Sequence, residues 1–146
     1  MFSKKVVGWN LTERQRAKEV VATLKEAISK RNPEPGLIIH SDKGSQMRSN
    51  KYRTFLSDNN FVPSYTSIDH SCDENAAQES FHASLKKECI YQKKPKTKNE
   101  AFAMIYQYIE KFYNPIRLHS SINYTSPDTF ERVHSIIGTT PATLDN

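Results

Sequence analysis

LIIHSDKGSQ, residues 37–46, is the stretch on which the fold turns. Leu37, Ile38 and Ile39 form a continuous apolar run, the pattern of a strand buried on both faces of a parallel sheet. The run stops at His40, Ser41 and Asp42, and Gly44 lets the chain turn. A carboxylate is thereby set at the carboxyl end of a strand, where ligands gather in open α/β sheets. Upstream, NPEPG at 32–36 is a breaker. Before it, Ala17, Val20, Val21, Leu24 and Ile28 recur at three- and four-residue steps, which predicts a helix over 13–30 with one apolar face for a sheet. Thr12 and Gln15 have capping-box spacing for its start, and KVVGW at 5–9 reads as a short β-branched strand.

Downstream, Ser49 is placed to cap a shorter helix carrying Tyr52, Phe55 and Leu56. A strand over 61–65 follows, and Pro63 makes it an edge strand. Ser71 with Glu74, and Thr97 with Glu100, repeat the capping box. The first opens a helix to about Tyr91. The second opens one whose Phe102, Ile105, Tyr106, Ile109 and Phe112 share a side, with Pro115 ending it and loops beyond. This alternation predicts an α/β fold with parallel pairing.

The chain has 146 residues, the length of one domain. Twenty-one Lys and Arg against sixteen Asp and Glu give +5, a mild pull toward polyanions. Two cysteines, Cys72 and Cys89, form neither a disulfide framework nor a Cys-x-x-Cys metal site and fit a reducing cytoplasm. No apolar run approaches the roughly 18 residues that span a bilayer. His70, Cys72, Asp73 and His82 lack the paired spacing of a zinc site. KKPKTK at 93–98 reads as a basic loop, and Tyr106, Tyr108, Phe112 and Tyr113 as mostly core rather than base-stacking residues.

On the helix opened by Ser71, Ala77, Phe81, Leu85 and Cys89 step by four, whereas Glu79 and Lys86 lie on another side. At about 100° per residue those two are separated by only about 20° around the axis, so they share a polar face. Asp42 and Glu79 are hard-oxygen donors of the kind magnesium takes, and two-ion phosphoryl transfer needs about three acidic side chains. The alternative for each is a turn-capping aspartate and a solvated helix glutamate.

HSDKGSQ at 40–46 resembles the box around the second catalytic aspartate of integrase-type insertion-sequence transposases. ENAAQESFHASLKKE at 74–88 resembles the same family's catalytic-glutamate helix, and YIEKFYNPIRLHSSINYTSPDTFE at 108–131 its closing Tyr-Asn-x-x-Arg-x-His segment. The likeness covers the chain to about residue 132. It implies a ribonuclease-H-like fold, with residues 1–132 a partial catalytic core lacking the first two strands of the central sheet and 133–146 a tail. It implies Asp42 and Glu79 as catalytic metal ligands for two Mg²⁺ or Mn²⁺ ions. Lys86, Lys87, Arg117 and His119 would be DNA contacts, although His119 and Arg117 fit a brace for the last helix as well. The partners implied are insertion-sequence ends and target DNA, with an intact transposase as oligomer, in the bacterial cytoplasm at the nucleoid.

Departures accompany the likeness. No aspartate precedes Asp42, so the family's first catalytic aspartate has no counterpart here. Glu74, Met47 and His82 replace the usual Asp, Tyr and second Phe. Three readings follow: a partial strand-transfer enzyme, inactive alone; a non-catalytic regulator that binds DNA or transposase; or a remnant without function.

Overall fold

The computed structural model describes residues 3–66 and 71–138, less the side chains of 71–75, 77 and 136–138. The elements run α1 (Ala17–Arg31), β1 (Ile38–Ser41), α2 (Asn50–Asp58), β2 (Val62–Tyr65), α3 (Ser71–Leu85), a π-helical turn Lys86–Ile90, α4 (Tyr91–Lys93), α5 (Lys98–Tyr106), a π-helical segment Gln107–Tyr113, a 3₁₀ turn Ser120–Ile122 and α6 (Pro127–Gly138). They divide into two compact units, Val7–Phe81 and His82–Asn146 together with Met1–Val6.

In the first unit β1 and β2 pair in parallel, Ile38 opposite Val62 through Ser41 opposite Tyr65. Parallel strands need a crossover, and α2 supplies it. Ser49 caps α2 as expected, its Oγ accepting the Tyr52 N–H at 3.3 Å. The core joins Val21 of α1 to Tyr52 and Leu56 of α2 and to Phe61, with Val20, Leu24, Ile28, Ile39, Met47 and Phe55 around them. The apolar face of α1 thus packs as its periodicity predicts, against α2 as well as Ile39 of the sheet.

Three local expectations fail here. Lys5–Trp9 is not a strand. With no neighbouring strand to complete a ladder, the Val6 N–H donates to Asn114 Oδ1 at 3.0 Å and the Val6 carbonyl accepts from Asn114 Nδ2 at 2.9 Å. One side-chain amide thus does what a strand partner would. Second, Thr12 is not the cap of α1: the helix begins at Ala17 after Arg16, which makes no side-chain cap bond. Third, β1 is not buried on both faces, because Leu37 is 41% and Ile38 66% exposed, as is Val62 at 49%. The two paired strands leave Ile39 partly buried against the core and the opposite face open.

In the second unit Thr97 caps α5, its Oγ1 accepting the Glu100 N–H at 3.1 Å, while Glu100 Oε2 accepts the Lys96 N–H at 2.8 Å. Ile105 and Ile109 are buried as expected of the helix face, and Tyr108 and Tyr113 as expected of core aromatics, but Phe102, Tyr106 and Phe112 are exposed. For Phe112 the cause is the π-helical segment from Gln107, since each such turn takes in an extra residue and rotates the inward face off a 3.6-residue period; Phe102 and Tyr106 precede that segment, on α5. Beyond Pro115 the chain is not loop, as expected, but a 3₁₀ turn and α6, whose start is capped by Ser126 Oγ accepting the Thr129 N–H at 3.3 Å. The capping-box side chains Ser71 and Glu74, and His70, lie outside the described residues and side chains.

Candidate active site

The residues of HSDKGSQ each hold one part of a loop. His40 ties β1 to β2 from both ring nitrogens, Nδ1 to Ser64 Oγ at 3.0 Å and Nε2 to Thr66 Oγ1 at 3.2 Å. Asp42 follows the last residue of β1 and is exposed. Its Oδ1 accepts the Gly44 N–H at 2.8 Å, so the carboxylate curls over the turn. A Cβ on Gly44 would lie 2.9 Å from that oxygen and 2.8 Å from Gln46 Oε1, so any larger residue would have to displace the ends of those two side chains, the Asp42 carboxylate among them. Gln46 Nε2 donates to the Gln15 carbonyl at 3.0 Å, and Ser49 Oγ donates to the Gln46 carbonyl at 2.7 Å. The loop is pinned at both ends while Asp42 faces solvent. Burial chiefly, with help from the Asp42 charge, raises the Tyr52 phenol above its ordinary value, against a lowering bond from Ser41.

Glu79 is exposed on α3 and belongs to the same unit as Asp42. Lys86 and Lys87, in the π-helical turn, are exposed in the other unit. A metal centre must be tested against these donors. Asp42 and Glu79 supply hard oxygens, yet among the described residues no group of three His, Cys, Asp or Glu stands where it would hold an ion. Two carboxylates do not complete a two-ion site.

The closing segment is a brace. Arg117 grips Glu88 with two donors, Nη2 to Oε1 at 2.7 Å and Nε to Oε2 at 2.9 Å. Tyr108 Oη donates to the same Oε2 at 2.8 Å, and Arg117 Nη2 reaches Ser84 Oγ at 3.3 Å. Arg117 Nη1 donates to His119 Nδ1 at 3.3 Å, which puts the imidazole proton on Nε2, a buried atom without a partner among the described residues. The Tyr113 ring meets His119 edge-on at 4.9 Å. Arg117 therefore holds the Glu88 carboxyl below its ordinary range, with the Tyr108 bond adding and burial opposing. Burial first, then the charges of Arg117 and Lys4, hold His119 below the usual imidazole range against the pull of Glu88. Of the residues expected from sequence, the structure brings Arg117 and His119 into contact with each other. Glu88, Tyr108 and Ser84 were missed as their partners. The only trace in the sequence was that Glu88 closes the ENAAQESFHASLKKE stretch.

Comparison with known proteins bears on the family and the fold. The integrase core domain family matches residues 1–71 and, through a second model of that description, 64–127. The transposase for insertion sequence element IS904 of Lactococcus lactis subsp. lactis (strain IL1403) is 39% identical over 135 residues, 92% of this chain and 53% of that protein. Transposase InsF for insertion sequence IS3A of Escherichia coli (strain K12) is 34% identical over 131 residues, 90% of this chain and 45% of that protein. The chain thus spans about half the length of the curated relatives it matches. Among solved structures, the simian T-cell lymphotropic virus intasome in complex with PP2A regulatory subunit B56 gamma aligns with TM-score 0.60 at 10% identity, over 92% of this chain and 44% of that one. That likeness carries the ribonuclease-H-like fold. Integrase core proteins act on DNA and are generally dependent on divalent metal. With the two integrase core domain models covering residues 1–71 and 64–127 between them and insertion-sequence transposases among its relatives, the chain belongs to the integrase core domain family.

Proposed function

We propose that residues 1–132 are a partial catalytic core for metal-dependent DNA strand cleavage and transfer in transposition, with 133–146 a tail, and that the core is inactive alone. The observation that carries this reading is the pinned loop that presents the Asp42 carboxylate at a strand end. Asp42 and Glu79 are two ligands of a Mg²⁺ or Mn²⁺ site, and the third carboxylate comes from outside this sequence. Lys86 and Lys87 meet DNA phosphate from their exposed turn. Arg117 and His119 contact DNA through the edge of the cluster they brace. The substrates are insertion-sequence ends and target DNA at the nucleoid, and an intact transposase copy is the oligomeric partner.

The test is joining of a labelled DNA end in Mg²⁺, by the chain alone and by the chain fused behind the preceding part of the IS904 transposase. The chain alone is expected to join nothing. The fusion is expected to join DNA, and Asp42→Ala or Glu79→Gln to lower its rate by at least about 10³-fold, because each removes charge stabilisation from the transferring phosphoryl group. A fusion that works as well with Asp42→Ala sinks the assignment.

A second reading, a non-catalytic regulator that binds element DNA or intact transposase, draws support from the absence of any aspartate before Asp42. Co-purification with intact transposase separates it from a remnant, which would bind neither partner at low salt.

A further inference from the structure

Beside the Asp42 loop, on the first unit, lies a cavity of about 770 Å³ lined by Lys43, Arg48, Arg53, Asp58, Leu56, Phe61, Pro63 and Tyr65 among others. Its volume is that of a site for a small molecule or one nucleotide. Its walls are of two kinds. Lys43, Arg48 and Arg53 are exposed cations, and among the described residues no ion pair engages any of them. Pro63 is exposed and Tyr65 half-buried, and they form the accessible apolar floor above the core residues Leu56 and Phe61; the Tyr65 ring is steadied by its hydroxyl, which donates to the Met47 carbonyl at 3.4 Å. Cations over a flat apolar floor match a phosphodiester with a splayed base, since phosphates attract Arg in bidentate geometry and any base stacks on an aromatic. Asp58 adds an acceptor for an exocyclic amino group. An acidic peptide would satisfy the cations and leave the aromatic floor without use.

We infer that this cavity seats one nucleotide of a single-stranded DNA segment next to Asp42, a contact separate from Lys86 and Lys87. Lys43, the residue after Asp42, links the two, so a strand held here passes the carboxylate. The inference rests on the DNA-processing role proposed above and adds the form of DNA taken and the residues that hold it.

The experiment is fluorescence anisotropy of a labelled single-stranded oligonucleotide with the 146-residue chain, across a salt series. Arg48→Gln with Arg53→Gln is expected to weaken binding about 10-fold at low salt and to flatten the log–log salt slope by about 1.4, two phosphates at about 0.7 each. Arg48→Lys with Arg53→Lys is expected to keep most of the slope. On the unaltered chain, the oligonucleotide is expected to protect Arg48 and Arg53 from phenylglyoxal more than Arg31. The proposal is overturned if the glutamine pair binds with unchanged slope, if neither arginine is protected, or if poly-glutamate displaces the oligonucleotide at equal charge. Binding lost only with Lys86→Gln and Lys87→Gln overturns the cavity and leaves the proposed function standing. No binding to any DNA overturns both.

Discussion

At the scale of single residues, Asp42 owes its position to Gly44. A methyl group there must push aside either Asp42 Oδ1 or Gln46 Oε1, both ends of flexible side chains. Gly44→Ala is therefore expected to change the melting temperature by no more than a few degrees, yet to lower DNA joining by the IS904 fusion at least about 10-fold, because misplacement by about 1 Å is enough to cost that in rate. Equal joining by Gly44→Ala and the parent would contradict this. Arg117 and Glu88 are 24% and 31% exposed at their side chains, so water screens part of their attraction. Glu88→Gln is expected to cost about 1–2 kcal/mol, less than a fully buried pair. Its pH signature follows from the depressed carboxyl. Glu88 binds its proton less tightly folded than unfolded, so its contribution is full above the unfolded value of about 4.3 and is lost as pH falls through the lower folded value. His119, also depressed, stabilises fully above about 6.5 and loses its share as pH falls through its own lower folded value. Thermal melts across pH should show two acid steps, the lower one absent in Glu88→Gln; a single step unchanged by that substitution would refute the brace.

At the scale of elements, stability of the first unit rests on the α1–α2 contact more than on the sheet. Leu56 is 1% exposed among Val21, Tyr52 and Phe61, and Leu56→Ala is expected to cost about 3 kcal/mol from lost transfer energy and a residual cavity. Ile38, two-thirds exposed on β1, is expected to cost under about 1 kcal/mol as Ile38→Thr. Urea denaturation of the two variants compares them directly, and a larger loss for Ile38→Thr would mean that the open sheet face is covered. These elements also mark how far periodicity carries. Ala17, Val20, Val21, Leu24 and Ile28 lie on a regular α-helix, so their spacing placed them inward correctly. Phe112 lies in the π-helical segment Gln107–Tyr113, whose longer turn no residue type announces, and it turned outward; Phe102 and Tyr106, on α5 before that segment, are exposed as well. Lys5–Trp9 has strand composition without a strand partner, and strand structure depends on the partner.

At the scale of the whole molecule, the place of Asp42 at a strand end was legible because the apolar run, the glycine and the HSDKGSQ string all fall on one segment. Glu88, the centre of the brace, was not, since its partners Tyr108 and Arg117 are distant in sequence and a lone helix glutamate reads as solvated. Leu37, Ile38 and Val62, all exposed, were read as strand residues correctly but as buried ones wrongly, because the run of apolar residues does not say what covers it. Asp42 and Glu79, as proposed, are ligands of an incomplete metal site. Electron paramagnetic resonance titration with Mn²⁺ counts the ions held. The 146-residue chain should hold at most one ion, with dissociation constant on the order of millimolar as expected for few carboxylates, and Asp42→Asn with Glu79→Gln should abolish it. Two tightly held Mn²⁺ ions in the parent chain, or binding unchanged in the double variant, would contradict the account.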